Sequence, residues 1–313
     1  MLPAFNEITD AAKRLESFVH RTPVLTSQSL NDLSGVSLFF KCESFQKVGA
    51  FKFRGATNAV LQLSEPERKL GVATHSSGNF AQALALAAKN AGIKAHIVMP
   101  ENASQVKKQA VEGYGGRIIN CNSTLEDREI TLRKVVDKTG SVIIHPYNNL
   151  KVITGNATAC MELIYEIGAL DIIIAPVGGG GLISGTAIAS HYLLPDTKIF
   201  AAEPFGADDA YRSFHKGEIV TSINPQTIAD GLRTSLGDIT FPIIKELLTD
   251  IIRVEEAEII NAMKLLWERM KIIVEPSAAV AFAAVLKEKK KFAGKHVGII
   301  LSGGNVDLGN IPF

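Results

Sequence analysis

Four consecutive glycines, Gly178 to Gly181, are the first residues of this chain whose type and spacing suggest chemistry. Residues 171–176 before them form an apolar, β-branched run typical of a buried parallel strand, and residues 183–189 after them have helical spacing. A strand, a glycine turn and a helix direct free backbone N–H groups and the positive end of the helix dipole toward an anion. The motif predicts a phosphate site, with a tight turn between packed elements as the alternative.

The residues after the glycines exclude two classes of phosphate loop. A Walker A loop needs Gly-Lys-Ser/Thr at the helix start, where this chain has Leu182 and Ile183. The dinucleotide fingerprint also fails, because Ile183 and Ser184 stand where its third glycine should fall. A small phosphorylated cofactor remains. If that cofactor is pyridoxal phosphate, the chain must also supply a lysine for a Schiff base.

Lys52 is the candidate lysine. It lies between Phe51 and Phe53, so its amine is expected to enter an apolar pocket that lowers its pKa, as Schiff-base chemistry requires. The alternative is a solvated surface lysine, which is the usual state of this residue type.

Small polar residues follow several predicted strands. Ser76-Ser77-Gly78-Asn79 follows a strand and opens a helix, and Ser302-Gly303-Gly304-Asn305 follows the last strand. Ligands bind at the carboxyl ends of strands in parallel α/β sheets. We therefore expect these two loops, the glycine loop and the Lys52 segment to line one site.

The elements that must position these residues alternate regularly. The opening residues 6–19 have helical spacing. Strands are predicted at 71–74, 95–99, 117–120 and 141–144, with helices at 80–91, 104–113 and 124–138 between them. Further strands at 172–177, 199–202, 251–254 and 297–301 alternate with helices that include 257–270, and the strand at 38–42 is assigned to the same half.

The predicted fold class is therefore α/β, with two doubly wound parallel-sheet domains and a cofactor in the cleft between them. The predicted large domain comprises residues 1–49 and 145–313, and the predicted small domain comprises residues 50–144.

Composition excludes several functional classes. The 313 residues carry a formal net charge of +1, which predicts neither nucleic-acid nor anionic-membrane binding. No apolar run has membrane-spanning length, and the start lacks a signal-peptide pattern. Cys42, Cys121 and Cys160 are widely spaced, which favours reduced thiols in a cytoplasmic protein and gives no zinc motif.

Taken together, the motifs resemble those of fold-type II pyridoxal-phosphate enzymes, whose fold is that of the tryptophan synthase β subunit. More closely, nearly the whole chain resembles the serine racemase and serine/threonine dehydratase family. The segments that carry this resemblance, in chain order, are 51–56, 76–79, 178–181, 227–231, 267–271, 275–277 and 302–309.

The resemblance implies a role for each matching residue. Lys52 would form the Schiff base and move the α-proton, and Ser77 would be the acid/base on the opposite face. The implied cofactor-binding residues are Phe51, Lys52, Asn79, Gly178, Gly179, Gly180, Gly181 and Ser302. The implied substrate-binding residues are Ser76, Ser77, Asn79 and Arg128.

The family also implies ligands other than the cofactor. Glu203, the carbonyl of Ala207 and Asp209 match a divalent-cation site for magnesium or calcium, although a solvated acidic turn is the alternative. The family implies a homodimer. An ATP effector site at the dimer interface is implied by the matching residues Lys47, Gln82, Tyr114 and Lys271.

Two positions depart from the family pattern. Phe80 follows Asn79 where the dehydratases have histidine, and Gly155-Asn156-Ala157-Thr158 replaces Gly-Gln-Gly-Thr. An aromatic ring at Phe80 offers no donor to a second substrate carboxylate, so it favours a small, uncharged side chain.

The resemblance therefore predicts dehydration of L-serine or L-threonine to the 2-oxo acid and ammonia, with serine racemase activity. A hydroxyl at Ser302 fits this prediction, because it cannot keep the pyridine nitrogen protonated as a carboxylate would. The enzymatic alternatives are a 3-hydroxyaspartate dehydratase and a β-replacement synthase of the cysteine synthase type. A ligand-binding regulatory protein on the same fold is the non-enzymatic alternative.

Overall fold

The structure, a computed structural model, describes residues 2–313, and its strands form two sheets. The ten strands of the described residues are β1 (Val24–Leu25), β2 (Ser37–Cys42), β3 (Val72–His75), β4 (Ala95–Pro100), β5 (Arg117–Cys121), β6 (Val142–Ile143), β7 (Ile172–Pro176), β8 (Lys198–Pro204), β9 (Asp250–Val254) and β10 (His296–Leu301). Six form a sheet in the order β1-β2-β10-β7-β8-β9, and four form a second sheet in the order β5-β4-β3-β6. All neighbouring strands pair in parallel except β1, which pairs antiparallel with β2.

Helices connect most of the strands. They are α1 (Phe5–Leu15), α2 (Gln28–Ser34), α3 (Lys52–Leu61), α4 (Glu65–Leu70), α5 (Asn79–Asn90), α6 (Gln105–Gly113), α7 (Leu125–Thr139), α8 (Leu150–Ile167), α9 (Gly181–Leu193), α10 (Asp209–Lys216), α11 (Thr240–Leu247), α12 (Glu256–Met270), α13 (Pro276–Lys287) and α14 (Lys289–Phe292). Within residues 2–313, no helix has both the length and the apolar character needed to cross a bilayer.

The six-stranded sheet is buried on both faces. Along β7, Ile172 and Ile174 pack into one apolar cluster with α12 and α13, whereas Ile173 and Ala175 pack into another with α8 and α9. This alternation explains why the sequence of β7 is continuously apolar, since each face of the strand meets a layer of helices. The predicted doubly wound α/β fold is confirmed.

The four-stranded sheet is parallel, as predicted, and the three predicted helices α5, α6 and α7 lie between its strands in the sequence. Its face toward α3 and α5 buries Val72 and Ile97, and its face toward α7 buries Ala73 and Val98. Strand β2 lies in the six-stranded sheet, beside β10. The domain boundaries at residues 49/50 and 144/145 stay a prediction.

Three local predictions differ from the structure. Helix α1 ends at Leu15 instead of residue 19, and β6 has two residues where four were predicted. The antiparallel strand β1 was not predicted, because two residues are too short to show a periodicity. All three differences concern element ends or very short elements, which depend on tertiary contacts.

A buried ionic network fixes the start of α3. The guanidinium of Arg54 donates to both carboxylate oxygens of Glu43, at 2.8 and 2.9 Å, and to both of Glu162, at 2.6 and 2.8 Å. Lys41 Nζ donates to Glu162 at 2.6 Å, and the Thr22 hydroxyl donates to Glu43 at 2.6 Å. Arg54, Lys41 and Glu43 are fully buried, so two cations and two anions balance each other away from water.

Removing one charge from this network should destabilise the fold strongly. We expect Glu43→Gln to lower the free energy of unfolding by about 3–5 kcal/mol, because it leaves two buried cations, Arg54 and Lys41, with Glu162 as their one remaining anion in the network. Chemical denaturation measures the loss. Glu166→Gln is the matched control, since Glu166 is exposed on α8 and its change should stay within about 0.5 kcal/mol. Equal stabilities for the two variants would contradict the importance of the network.

Candidate active site

Lys52 opens α3, with its amine close to aromatic rings. Its Nζ lies 5.0 Å from the ring centroid of Phe51 and 5.8 Å from that of Phe80, and it donates to the carbonyl of Pro146 at 3.0 Å. Burial lowers the pKa of Lys52 to about 8, and the negative charge of Glu275 opposes this in part. About one tenth of the amine is therefore neutral at pH 7, far more than for an unperturbed lysine, and the neutral form is the nucleophile or base.

The expectation that Phe53 also flanks this amine is wrong. Phe53 packs into the apolar cluster of the four-stranded sheet, and its ring faces the amine of Lys47 at 5.8 Å. Consecutive residues of a helix point about 100° apart, so Phe53 cannot share the direction of Lys52. Phe80, from α5, takes the place that was assigned to Phe53.

The tetraglycine loop runs from the end of β7 into α9, as predicted. Its carbonyls point back into the protein: Gly179 O accepts from the Thr240 hydroxyl at 2.9 Å, and Gly181 O accepts from Asn156 Nδ2 at 3.4 Å. The N–H groups at the start of α9 are left for a ligand. Gly180 has φ +89°, which strongly favours glycine. The loop therefore fits a phosphate group.

Tyr147 packs directly on this loop and was not predicted from the sequence. A Cβ on Gly179 would lie 2.4 Å from the Tyr147 ring, and the phenol hydroxyl lies 2.9 Å from Thr234 Oγ1. The ring also stacks edge-on against His145 at 4.5 Å. Because Lys52 bonds to the preceding residue, Pro146, this short segment joins the lysine to the phosphate loop. No local pattern in the sequence identifies Tyr147, because this residue lies in the connection between β6 and α8.

The segment before Lys52 is clasped by the loop that follows β10. Phe51 N donates to Ser302 O at 3.0 Å, Gly304 N donates to Gly49 O at 2.9 Å, and Asn305 Nδ2 donates to Val48 O at 2.7 Å. Val48 has φ +56°, an unusual conformation for a β-branched residue. The clasp brings Ser302 and Lys52 into the same site, as predicted.

A buried acid, Glu275, holds Asn79 at the start of α5. Asn79 Nδ2 donates to the two oxygens of Glu275 at 3.0 and 3.1 Å, and Asn305 Nδ2 donates to Asn79 Oδ1 at 2.9 Å. These bonds join the end of one sheet to the end of the other. Burial raises the pKa of Glu275 to about 7, because the amide donors facing it only partly compensate the loss of water. The segment 275–277 contributed to the resemblance, but Glu275 was given no role.

The other predicted substrate residues lie near the same edge. Ser76 and Ser77 are half-buried between β3 and α5. Helix α5 has Gly78 as its N-cap, and in the described chain no side chain caps it, so Ser77 is not a capping residue. Arg128 is half-buried on α7, and its Nε is a buried donor that finds no partner among residues 2–313.

Both departures from the family pattern have a structural explanation. Phe80 is buried in the cluster that contains Phe53, so its ring forms a wall beside the Lys52 amine. Asn156 lies beneath the tetraglycine loop, where it donates to Gly181 O, and a Cβ on Gly55 would lie 2.6 Å from its Oδ1. Asn156 therefore supports the phosphate loop from inside the protein.

The three predicted cation ligands lie together at the end of β8 and the start of α10. Glu203 accepts from the backbone N–H groups of Ala210 and Tyr211 at 2.9 and 2.8 Å. Neither carboxylate oxygen of Asp209 has a partner with hydrogen-bond geometry within residues 2–313. Burial raises the pKa of Asp209 to about 7 and that of Glu203 well above its usual range, with the two acids repelling each other. The solvated-turn alternative fails, because Glu203, Ala207 and Asp209 are all buried.

Two of the four predicted ATP-binding residues donate hydrogen bonds to backbone carbonyls. The amine of Lys47 donates to Phe18 O, and the amine of Lys271 donates to Glu268 O at 2.6 Å. Gln82 is buried on α5, and Tyr114 is half-buried after α6. The effector site stays a prediction.

Comparison with known proteins gives a consistent result. Residues 15–303 match the family of pyridoxal-phosphate dependent enzymes. The serine racemase of Dictyostelium discoideum is 53% identical over 309 residues, which cover 97% of this chain and 95% of that protein. The beta-hydroxyaspartate dehydratase of Paracoccus denitrificans is 47% identical over 312 residues, which cover 100% of this chain and 99% of that protein.

A solved structure agrees with these relatives. Maize serine racemase is similar with a TM-score of 0.97 and 46% sequence identity, and the match covers 99% of this chain and 95% of that one.

The burial of Glu275 predicts a pH-dependent stability. Its folded-state pKa of about 7 lies above the usual 4.5, so the folded chain binds the proton more tightly and loses stability as pH rises from about 4.5 to about 7. Glu275→Gln removes this loss. Between pH 4 and pH 8 the variant should gain roughly 3 kcal/mol relative to the unchanged protein, as measured by urea denaturation at each pH. Glu246→Gln, at an exposed acid on α11, controls for the general loss of a carboxylate. A difference that stays constant with pH would show that Glu275 is not held in this way.

Proposed function

Since this chain belongs to the family of pyridoxal-phosphate-dependent enzymes, we propose that it dehydrates L-serine to pyruvate and ammonia and also interconverts the two serine enantiomers. L-threonine, with the same β-hydroxyl, is a further substrate of the dehydration. The serine racemases among its relatives support this choice. The proposal rests chiefly on one observation: a partly buried lysine with a lowered pKa bonds to Pro146, and the next residue, Tyr147, packs on a helix-N-terminal glycine loop.

The residues present fit pyridoxal phosphate. The N–H groups of Gly178 to Gly181 would hold its phosphate, Asn79 its ring oxygen, Ser302 its ring nitrogen, and Phe51 would pack beside the ring. Lys52 would hold the cofactor through its amine. When bound, the cofactor supplies an aldehyde and a ring that accepts electrons from the substrate.

Lys52 acts as the base on one face of the substrate. Its pKa of about 8 leaves a neutral fraction that takes the α-proton, and the carbonyl of Pro146 accepts a hydrogen bond from the amine. The Phe51 and Phe80 rings limit the access of water to this amine. Loss of the β-hydroxyl as water, followed by hydrolysis, gives the 2-oxo acid and ammonia.

Ser77 acts on the opposite face, where a hydroxyl that gives and takes a proton permits racemisation. Its position between the end of β3 and the N-cap Gly78 leaves the hydroxyl free of a capping role. Ser76 and Arg128 would bind the substrate carboxylate. The lone Nε donor of Arg128 supports this assignment.

A 3-hydroxyaspartate dehydratase is the second candidate function. Arg128 and His75 both lie near this edge of the site: burial lowers the pKa of His75, the charge of Glu129 opposes this, and the charge of Arg128 adds to the lowering. This pair could receive a second carboxylate, which Phe80 cannot bind. The dehydratase of Paracoccus denitrificans supports this alternative. The acids Glu203 and Asp209 and the serines Ser76 and Ser77 argue against the third candidate, a β-replacement synthase.

We also propose a divalent cation at Glu203, the Ala207 carbonyl and Asp209. Two buried carboxylates that repel each other and lack a cation are the ligand chemistry that magnesium or calcium requires. A homodimer and a cytoplasmic location complete the proposal and rest on the family and on the buried, free cysteines. The ATP effector site rests on the resemblance alone.

Turnover of L- and D-serine by Ser77→Ala tests the proposed reaction and the roles of Lys52 and Ser77 on opposite faces of the substrate. The unchanged enzyme should form pyruvate from L-serine and should produce D-serine. Ser77→Ala should lose D-serine formation and D-serine dehydration while L-serine dehydration largely survives, because only the lysine face is needed there. Pyruvate release and chiral chromatography measure both activities. L-threonine and L-threo-3-hydroxyaspartate in the same assay separate the candidate substrates.

Two further variants serve as controls. Ser76→Ala should impair both enantiomers alike, and Lys52→Ala should abolish every turnover. Equal losses on L- and D-serine in Ser77→Ala would exclude the two-face mechanism. Near-normal turnover by Lys52→Ala would exclude the function itself, and a higher kcat/KM for hydroxyaspartate than for serine would favour the second candidate.

The cation site predicts a metal-dependent melting temperature. A chelator should lower the melting temperature of the unchanged enzyme and magnesium or calcium should restore it, because an ion that binds only the folded state stabilises it. Asp209→Asn should abolish this response. Asp208→Asn should retain it, since the adjacent Asp208 pairs with Arg212 and Arg253 instead, each at 2.8 Å. The same response in both variants would remove Asp209 from the site.

A further inference from the structure

A cavity opens at the edge of the four-stranded sheet opposite to Lys52. It has a volume of about 480 Å³ and is lined by Lys69, Leu70, Lys94, Ala95, His96, Gly115, Arg117 and Thr139. These residues lie at the starts of β4 and β5 and at the ends of α4 and α7. The loop that contains Ser76 and Ser77, by contrast, follows the end of β3. The proposed reaction does not use this cavity.

The charges lining the cavity have one sign. Lys69, Lys94 and Arg117 are cations, and the lining contains neither aspartate nor glutamate. None of the three forms a salt bridge within residues 2–313. All three side chains are exposed to solvent, and their like charges give the cavity a positive potential that favours an anion.

His96 forms part of the cavity wall. It is 7% exposed, and it pairs in register with Arg117 across β4 and β5, so the two side chains are neighbours. Burial lowers the pKa of His96, and the charges of Arg117 and Lys94 lower it further. The imidazole therefore lies in the positive potential of Arg117 and Lys94, which a bound anion would neutralise.

An alternative explanation for these cations is that they bind the last carbonyls of nearby helices, as lysines often do. Here other groups already satisfy the nearby carbonyls. Leu70 O accepts from the Ser141 hydroxyl at 3.0 Å, Gly71 O accepts from Val142 N at 2.9 Å, and Lys94 O accepts from Val72 N at 2.8 Å. The cationic side chains are thus left for a ligand.

We propose that this cavity binds a compact oxyanion with at least two negative charges, such as a phosphate group or a dicarboxylate. Lys94 and Arg117 would make charge-assisted hydrogen bonds to its oxygens, Lys69 would approach from the end of α4, and His96 would donate from the wall. The site is independent of the catalytic centre and of the cation site.

Sulfate and succinate are the probes, because sulfate keeps its charge at every working pH. Calorimetric titration of the holoenzyme, with magnesium present and the ionic strength held constant with chloride, should show saturable binding of at least one probe. Preference for sulfate indicates a phosphate-type ligand, and preference for succinate indicates a dicarboxylate; both support the site. Sulfate should bind more tightly at pH 6 than at pH 8, because a bound anion opposes the positive charges of Arg117 and Lys94 that lower the pKa of His96.

The double variant Lys94→Gln/Arg117→Gln should weaken the binding at least about tenfold. Lys138→Gln, an exposed charge on α7 outside the cavity, should leave the affinity within about twofold. Normal L-serine turnover would show that the double variant is folded, and sulfate binding is measured without reference to turnover. Absence of saturable binding, unchanged affinity in the double variant, or an equal loss in Lys138→Gln would overturn the proposal.

Discussion

The position of the candidate catalytic lysine depends on the buried guanidinium of Arg54. Arg54 lies two residues after Lys52, in the first turn of α3, and its donors are directed at carboxylates from two different parts of the chain. Glu43 follows a strand of the six-stranded sheet, and Glu162 lies on α8. Because bidentate pairs fix both distance and direction, α3 cannot rotate about its axis without breaking two such pairs. The network thus sets the direction in which Lys52 leaves the helix.

The active site, by contrast, contains buried charge that the protein alone does not balance. Glu275 faces amide donors and no cation at hydrogen-bond distance within residues 2–313, and Lys52 faces a carbonyl. Glu203 and Asp209 repel each other in a separate buried pair. Such groups are unfavourable in an empty fold and become favourable when a ligand supplies the missing charge. The charges of the Arg54 network balance within the protein, whereas the charges of the candidate functional groups do not.

Residues whose role follows from local pattern could be predicted from the sequence. The tetraglycine loop, Lys52 and the two polar loops could be grouped, because the strands that precede the loops are continuous apolar runs and their ends must meet at one edge. From the sequence, Asn156 could be identified only as a departure from the family pattern. Its position beneath the glycine loop follows from the packing of α8 against α9, which the sequence does not show.

Residues that act through distant contacts could not be predicted in this way. Tyr147 lies in a short connection without periodicity, and it meets Gly179 and Thr234 only in the folded chain. Phe53 is adjacent to Lys52 in sequence, but in the folded chain its ring faces Lys47 within an apolar cluster. The clasp between residues 48–51 and 302–305 spans about 250 positions, and it has a consequence for synthesis. The ribosome makes Lys52 about 250 residues before the loop that contacts the segment beside it, so a nascent chain cannot complete the candidate site before β10 and the loop after it have emerged.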